Sequence, residues 1–158
     1  MRIASFGGAG APCKARFAAF AIGASFGWGG ENMEKVSMSH EDYLEAIVML
    51  GGSDTQSVRS VDIATKLGVS KASVSKAVAS LKASGMLDQP YYGDITLTHD
   101  GYQYGKSVLE RHEKLTRFLH EKVGLSLETA EEEACQMEHA ISDESFGKWL
   151  EYFDSIGL

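Results

Sequence analysis

Residues 60–85, SVDIATKLGVSKASVSKAVASLKASG, hold two short amphipathic periods divided by Leu67-Gly68-Val69-Ser70. In the first, Ile63, Ala64 and Leu67 share one helical face, with Ser60 placed as its cap. In the second, Val74, Ala77, Val78 and Leu81 recur at helical spacing, while Lys71, Ser73, Ser75, Lys76 and Lys82 fall largely on the other side. Gly68 suits the tight turn between them and Gly85 the stop. Two helices so arranged predict a helix-turn-helix, whose second helix enters the major groove with its first residues nearest the base edges. Those residues are Ser70, Lys71, Ala72, Ser73, Ser75 and Lys76. Hydroxyls can bond bases or phosphates, Ala72 offers a methyl-sized contact for thymine, and lysines neutralise phosphate. With no arginine fork among them, much of the affinity for double-stranded DNA is expected from backbone contacts and dimerisation. The bland alternative is a helical hairpin with a solvated lysine face.

The flanking sequence extends this unit. Ser39 followed by Asp42 fits a helix N-cap, and Leu44, Ile47 and Val48 give the ensuing helix an apolar face as far as Gly51-Gly52. Beyond Gly85, Met86 to Tyr91 and Ile95 to Leu97 read as two short strands joined around Gly93-Asp94, a wing. Thr98 can cap a long helix running to Val123 and closed by Gly124, with Tyr104, Val108, His112, Leu115, Leu119 and Val123 on one stripe. A helix of that length with one apolar stripe calls for a partner. Ser126 caps a further helix with Ala130, Ala134, Met137 and Ile141 as its buried row, and Ser142 starts the last, carrying Phe146, Leu150 and Phe153. The fold class is therefore mostly α, built on a winged helix-turn-helix.

Charge is distributed unevenly. The net charge of −7 is unlike a DNA binder's, yet residues 57–106 carry six Lys/Arg against four Asp/Glu, whereas residues 107–158 carry five against twelve. Basic bias sits where DNA would be read, and acid where cations could be held. Cys13 and Cys135, the two cysteines, form no disulfide framework, and a reducing cytoplasm is the expected compartment. Residues 1–33 read as an extension, either disordered or a misassigned start, with translation beginning at Met33 or Met38. Its apolar run, residues 17–26, is too short and Gly-broken to span a membrane, so no membrane partner is expected.

Cys135, Glu138 and His139 stand at i, i+3 and i+4, so thiolate, carboxylate and imidazole project from one side of a helix. His112 lies on an apolar stripe where a histidine needs a partner, and the first helix offers Asp42 and Glu45 at i and i+3. Each has a competing explanation: Cys135 as a small core residue, Glu138 as a solvated acid, His112 as a core histidine satisfied by a carbonyl or by Glu138, and Asp42 as the cap. Glu131, Glu132 and Glu133 read best as a solvated acidic first turn that favours the helix dipole.

Glu41-Asp42-Tyr43-Leu44-Glu45-Ala46-Ile47, Arg111-His112-Glu113-Lys114-Leu115 and residues 133–144, EACQMEHAISDE, together resemble the metal-dependent repressors of the diphtheria toxin repressor family, which includes the manganese transport regulators. That resemblance spans residues 39–153. It implies a winged helix-turn-helix domain over residues 34–100, a helical metal-binding and dimerisation domain over residues 101–158, a homodimer, a DNA operator and a divalent metal corepressor. Position by position it implies Asp42, Glu45, His112, Cys135, Glu138 and His139 as the ligand set. Asp42 and Glu45 match the manganese branch, Cys135 matches the iron branch, and Glu138, His139 and His112 match both. The hybrid leaves Mn²⁺ and Fe²⁺ open, with Zn²⁺ possible in vitro. No SH3-like third domain is expected. Two other functions compete: a metal-independent winged helix regulator answering to a small organic ligand, and an enzyme acting through a metal-bound water. The chain shows no nucleophile constellation or phosphate loop for the second.

Overall fold

The computed structural model describes residues 38–90 and 93–158. Six helices and one small hairpin follow in the order α1 (Met38–Met49), α2 (Ser60–Leu67), α3 (Lys71–Ala83), β1 (Leu87–Asp88), β2 (Thr96–Leu97), α4 (His99–Phe118), α5 (Leu127–Ala140) and α6 (Asp143–Ser155). Residues 1–33, read above as an extension, lie outside the described residues. Among the described residues no helix is long and apolar enough to cross a membrane.

The helix-turn-helix forms as its pattern predicts, with one change at the start. Arg59, not Ser60, is the N-cap of α2; it offers no capping side chain, and its guanidinium instead binds Asp62 through two hydrogen bonds of 2.7 and 2.8 Å. Gly68 turns the chain at φ 64°, and Ser70 caps α3 by accepting the Ser73 N–H. Val74, Ala77, Val78 and Leu81 face inward, where they join Leu44, Ile47, Ile63 and the wing residues Leu87, Ile95 and Leu97 in one core. The wing is shorter than expected. β1 and β2 pair antiparallel over two residues each, Leu87 with Leu97 and Asp88 with Thr96, and a single bridge ties Val58 to Ile95.

Helix α1 begins at Met38, so Ser39 lies within it and is not its cap. Thr98 does cap α4, accepting from the Gly101 N–H. The long helix changes character at its end: residues Leu119–Val123 form a π turn closed by Gly124 at φ 86°. Wider winding rotates the last stripe position off the apolar face, leaving Val123 53% exposed where the spacing predicted burial. Ser126 and Ser142 cap α5 and α6 as expected, accepting from Thr129 N–H and Ser145 N–H. Because α5 starts at Leu127, Glu128 occupies its first turn and residues 131–133 lie in the second, a correction to their placing at the helix start.

A second core gathers Leu115, Leu119, Ala130, Ala134 and Phe153, with Phe118, Trp149 and Phe146 partly buried against it. The two cores meet along α4, which packs against both α1 and α5. Close approach is possible there because α4 carries glycine at the crossing: a Cβ on Gly105 would stand 2.9 Å from the Leu44 carbonyl oxygen and 3.0 Å from a Val48 methyl. The same crossing brings the acidic end of α1 to the face of α5 that carries Cys135, Glu138 and His139.

Candidate metal centre

Three helices contribute side chains to one polar cluster inside this otherwise apolar junction. Asp42, Cys135, Glu138 and His139 each offer a ligand atom, and the four atoms lie within 4.8 Å of one another. Glu45, His112 and Glu138 form a second group meeting the same limit, so Glu138 belongs to both. All six residues singled out in the sequence thus fall in one or other group. Helix α1 supplies Asp42 and Glu45, α4 supplies His112, and α5 supplies Cys135, Glu138 and His139.

Hydrogen bonding hands each histidine to a carboxylate. His139 Nε2 is 2.9 Å from Asp42 Oδ1, and its Nδ1 is 2.5 Å from Glu41 Oε2. His112 Nδ1 is 2.9 Å from Glu138 Oε2, with Glu45 Oε1 at 4.0 Å. The core-histidine explanation of His112 therefore describes a real contact, and the contact lies inside the cluster. Asp42 spends its carboxylate on His139 rather than on a helix end. Glu138, which in so acidic a helix is ordinarily solvated, is 2% exposed, and its buried Oε1 accepts no hydrogen bond, with His139 Nε2 3.4 Å away as an ion-pair contact. A buried carboxylate oxygen without a hydrogen bond is poorly compensated for its lost water, so its surroundings suit a cation. The donor set, two or three carboxylate oxygens with imidazole and thiolate, fits a divalent transition metal.

Electrostatics describe a pocket with too much negative charge. Burial, then the neighbouring Glu138 charge, pushes Glu45 up to about 7. Burial also raises Glu138, and its His112 bond offsets this only in part. Burial alone would lower His139, but its hydrogen bonds to Asp42 and Glu41 and the charges of Asp42 and Glu138 outweigh that and hold it at about 10. His112 is raised in the same way by Glu138. The cluster thus holds protons that offset part of its negative charge.

A pH signature follows for Glu45. Between the ordinary carboxylate value and about 7 the folded chain holds a proton that the unfolded chain has released, so stability falls as pH rises through that window. Glu45→Gln removes the penalty. The metal-free variant is expected to be more stable than the parent above pH 7 by on the order of 1–3 kcal/mol, with the gap closing near pH 4. Urea unfolding in chelator across that range measures it; a gap independent of pH would refute the charge argument. The His139 contribution has the usual sign for a raised histidine: it is complete below the unfolded value near 6.5 and is lost as pH passes about 10.

Four residues at this junction escaped the sequence reading. Glu41 and Tyr104 join the His139 side, Tyr104 donating its phenol hydrogen to Glu41 Oε1. Arg111 donates to the carbonyls of Glu138 (3.1 Å) and Ile141 (3.4 Å) and to Asp143 Oδ1 (2.5 Å), pinning the C-terminal end of α5 to α4. Adjacency to the singled-out residues was one signal, and the i, i+4 spacing of Glu41 to Glu45 on one helix face was another, whereas a stripe analysis counts Tyr104 as apolar.

On the DNA side, Ser70, Lys71, Ala72, Ser73, Ser75 and Lys76 are all exposed at the start of α3. Their hydroxyls are partly spoken for: Ser70 Oγ lies 2.9 Å from Ser73 Oγ, and Ser75 donates to the Lys71 carbonyl. Lys71 and Lys76 enter no ion pair among the described residues, which leaves their charge available at the surface.

Comparison with known proteins decides the family. Residues 35–94 match the iron-dependent repressor N-terminal DNA-binding domain, and residues 98–155 match the iron-dependent repressor metal-binding and dimerisation domain. The chain belongs to the iron-dependent repressor family. An HTH-type transcriptional regulator of Methanocaldococcus jannaschii is 37% identical over 110 residues, 69% of this chain and 87% of that protein. The transcriptional regulator MntR of Salmonella typhimurium is 32% identical over 117 residues, 74% and 73% of the two chains. Among solved structures, a manganese-dependent transcriptional repressor in complex with manganese superposes with TM-score 0.61 at 28% identity, covering 69% of this chain and 50% of that one. IdeR of T. acidophilum gives 0.60 at 26% identity, over 77% and 55%. This member of the iron-dependent repressors spans about half the length of those solved chains. Its two matched models are the DNA-binding and the metal-binding and dimerisation domains of metal-dependent transcriptional repressors.

Proposed function

We propose that Asp42, Cys135, Glu138 and His139 hold one divalent cation, Mn²⁺ or Fe²⁺, and that Glu45, His112 and Glu138 are placed to hold a second. The burial of Glu138, shared by both groups and with an Oε1 that accepts no hydrogen bond and has only the His139 imidazole at 3.4 Å, is the observation that carries this reading. A bound cation would supply the positive charge that this pocket lacks. Asp42 and Glu45 sit on α1, which shares a core with the DNA reader, whereas the remaining ligands sit on α4 and α5. When all of them converge, α1 is drawn against the helical half, and that half sets where α3 is presented. In a homodimer two such α3 helices would be spaced to meet a two-fold symmetric double-stranded operator. An exposed aromatic hollow of about 210 Å³, lined by Phe118, Lys148, Trp149 and Tyr152, gives the helical half an apolar surface suited to a second copy. The division of labour proposed is residues 34–100 for DNA and residues 101–158 for metal and dimer, acting in the cytoplasm on genes of manganese or iron homeostasis.

Anaerobic titration with Mn²⁺, Fe²⁺ and Zn²⁺, read by fluorescence anisotropy on duplexes selected from a random-sequence pool, tests this. Tight binding is expected only with metal and is expected to reverse with chelator. Tight sequence-specific binding that ignores both, or that survives His139→Ala unchanged, would favour a metal-independent regulator. Within the metal-loaded complex, Lys71→Ala or Lys76→Ala is expected to weaken binding to all duplexes alike and to reduce the salt slope by about 1 per lysine. A slope unchanged in both variants would remove these lysines from the phosphate contacts.

A further inference from the structure

The two nitrogens of His139 are not equivalent. Nε2 faces Asp42, and the ligand atoms of Cys135 and Glu138 lie within the same 4.8 Å group. Nδ1 faces the other way, onto Glu41 Oε2 at 2.5 Å. Glu41 belongs to neither ligand group, and its Oε1 accepts the Tyr104 hydroxyl. The His139 side chain is 4% exposed, so water has little access with which to replace either bond. A neutral imidazole carries one proton, and the nitrogen left bare is the one able to coordinate. An acceptor fixed on Nδ1 keeps the proton there and turns the Nε2 lone pair toward the cluster.

Resting on the reading of the cluster as a metal centre, we propose that Glu41 is a positioning residue that holds His139 as the Nδ1–H tautomer with Nε2 as the ligand atom, and that Tyr104 holds Glu41 in place. This arrangement ties His139 of α5 to α1 and α4 through two side chains outside the six-residue ligand set. Tyr104 bonds one oxygen of Glu41 from α4 while His139 bonds the other from α5, so the carboxylate is clamped in one orientation. With the clamp removed, the imidazole is free to rotate or to exchange tautomers, and metal capture then has to select the competent form. Positioning of this kind contributes roughly 10–100-fold in metal affinity.

The test uses the full chain with ¹⁵N-labelled histidine and Zn²⁺ alone as a diamagnetic probe. Long-range ¹H–¹⁵N spectra report which His139 nitrogen is protonated and which is coordinated, and competition with a chromophoric chelator reports affinity. In the parent protein Nδ1–H and coordinated Nε2 are expected. Glu41→Ala is expected to lose about 10–100-fold in Zn²⁺ affinity and to show mixed Nδ1 and Nε2 coordination in the Zn²⁺-loaded chain. Glu41→Gln, which keeps a neutral acceptor, should retain Nδ1–H with a smaller loss, and Tyr104→Phe a smaller loss still. Those two conservative variants carry the test if the alanine variant does not fold. Coordination through Nδ1 in the parent, or parental affinity and tautomer in the variants, would overturn the inference. Failure of the parent chain to bind Zn²⁺ would instead overturn the metal-centre reading on which it rests.

Discussion

Glu138→Gln is expected to abolish the rise in melting temperature that metal confers on the parent chain and, with it, metal-dependent DNA binding. Glu138 is the one side chain shared by both ligand groups, and its two oxygens do different work. Oε2 bonds His112 at 2.9 Å, while Oε1 is buried, accepts no hydrogen bond and lies 3.4 Å from His139 Nε2. A glutamine fills nearly the same space and can still meet His112, but it brings neither the charge nor the second anionic donor. Ligand binding stabilises the folded chain by about 2.7 kcal/mol at a free concentration 100 times Kd. The parent should gain that amount with Mn²⁺ or Fe²⁺ at saturating levels, and the variant almost none. Differential scanning fluorimetry with and without metal, paired with anisotropy on the selected duplex, reads both consequences. An unchanged metal-induced shift in Glu138→Gln would remove Glu138 from the site. Loss of the shift with intact metal-dependent DNA binding would break the link between the cluster and α3.

Gly101→Ala is expected to cost the fold about 3 kcal/mol or more, whereas Gly147→Ala should stabilise it by up to about 1 kcal/mol. Both glycines lie inside helices, yet their surroundings differ completely. A Cβ at Gly101 would stand 1.8 Å from the Met86 carbonyl oxygen and 2.7 Å from its carbon, and both are backbone atoms that cannot swing aside. That carbonyl is already committed, accepting the Thr98 N–H at 3.0 Å and the Thr98 hydroxyl at 3.1 Å. The contact fixes how the start of α4 leaves the wing, so a wedge there separates the reader from the helix that carries His112. A Cβ at Gly147 on α6 meets nothing within 4 Å and only removes the entropic cost of a helical glycine. Urea unfolding of the two variants against the parent gives the comparison directly. A Gly101→Ala chain as stable as the parent would show that the α4 junction is looser than its geometry implies.

Local features of the chain were legible because each rests on neighbours in sequence. Gly68 and Gly124 take the left-handed backbone that their positions called for, and Thr98, Ser126 and Ser142 cap the helices they precede. Errors arose where local signals compete. Ser60 resembles a cap, but Arg59 takes that position, and the Ser60 hydroxyl lies 3.5 Å from the Gln89 amide. Val123 follows the stripe of α4 in spacing, but the π turn before it changes the winding. In the site, spacing grouped Cys135 with Glu138 and His139 because they share one helix face. The partners that complete the polar network are 97 and 98 residues away in sequence, Asp42 and Glu41, and no local rule links them.

The sequence by itself therefore determined the helices, the caps of all but α1 and α2, the helix-turn-helix and the residue types of the candidate site, since each depends on periodicity or on chemistry carried by single residues. Only the tertiary structure decided that Glu138 is buried with one oxygen that accepts no hydrogen bond and that His139 is gripped on both nitrogens. It also decided that Glu41 and Tyr104 belong to the network. Those facts depend on how closely α1 and α5 approach α4, which the missing side chain of Gly105 permits, and such distances are set by packing across the molecule rather than by order along the chain.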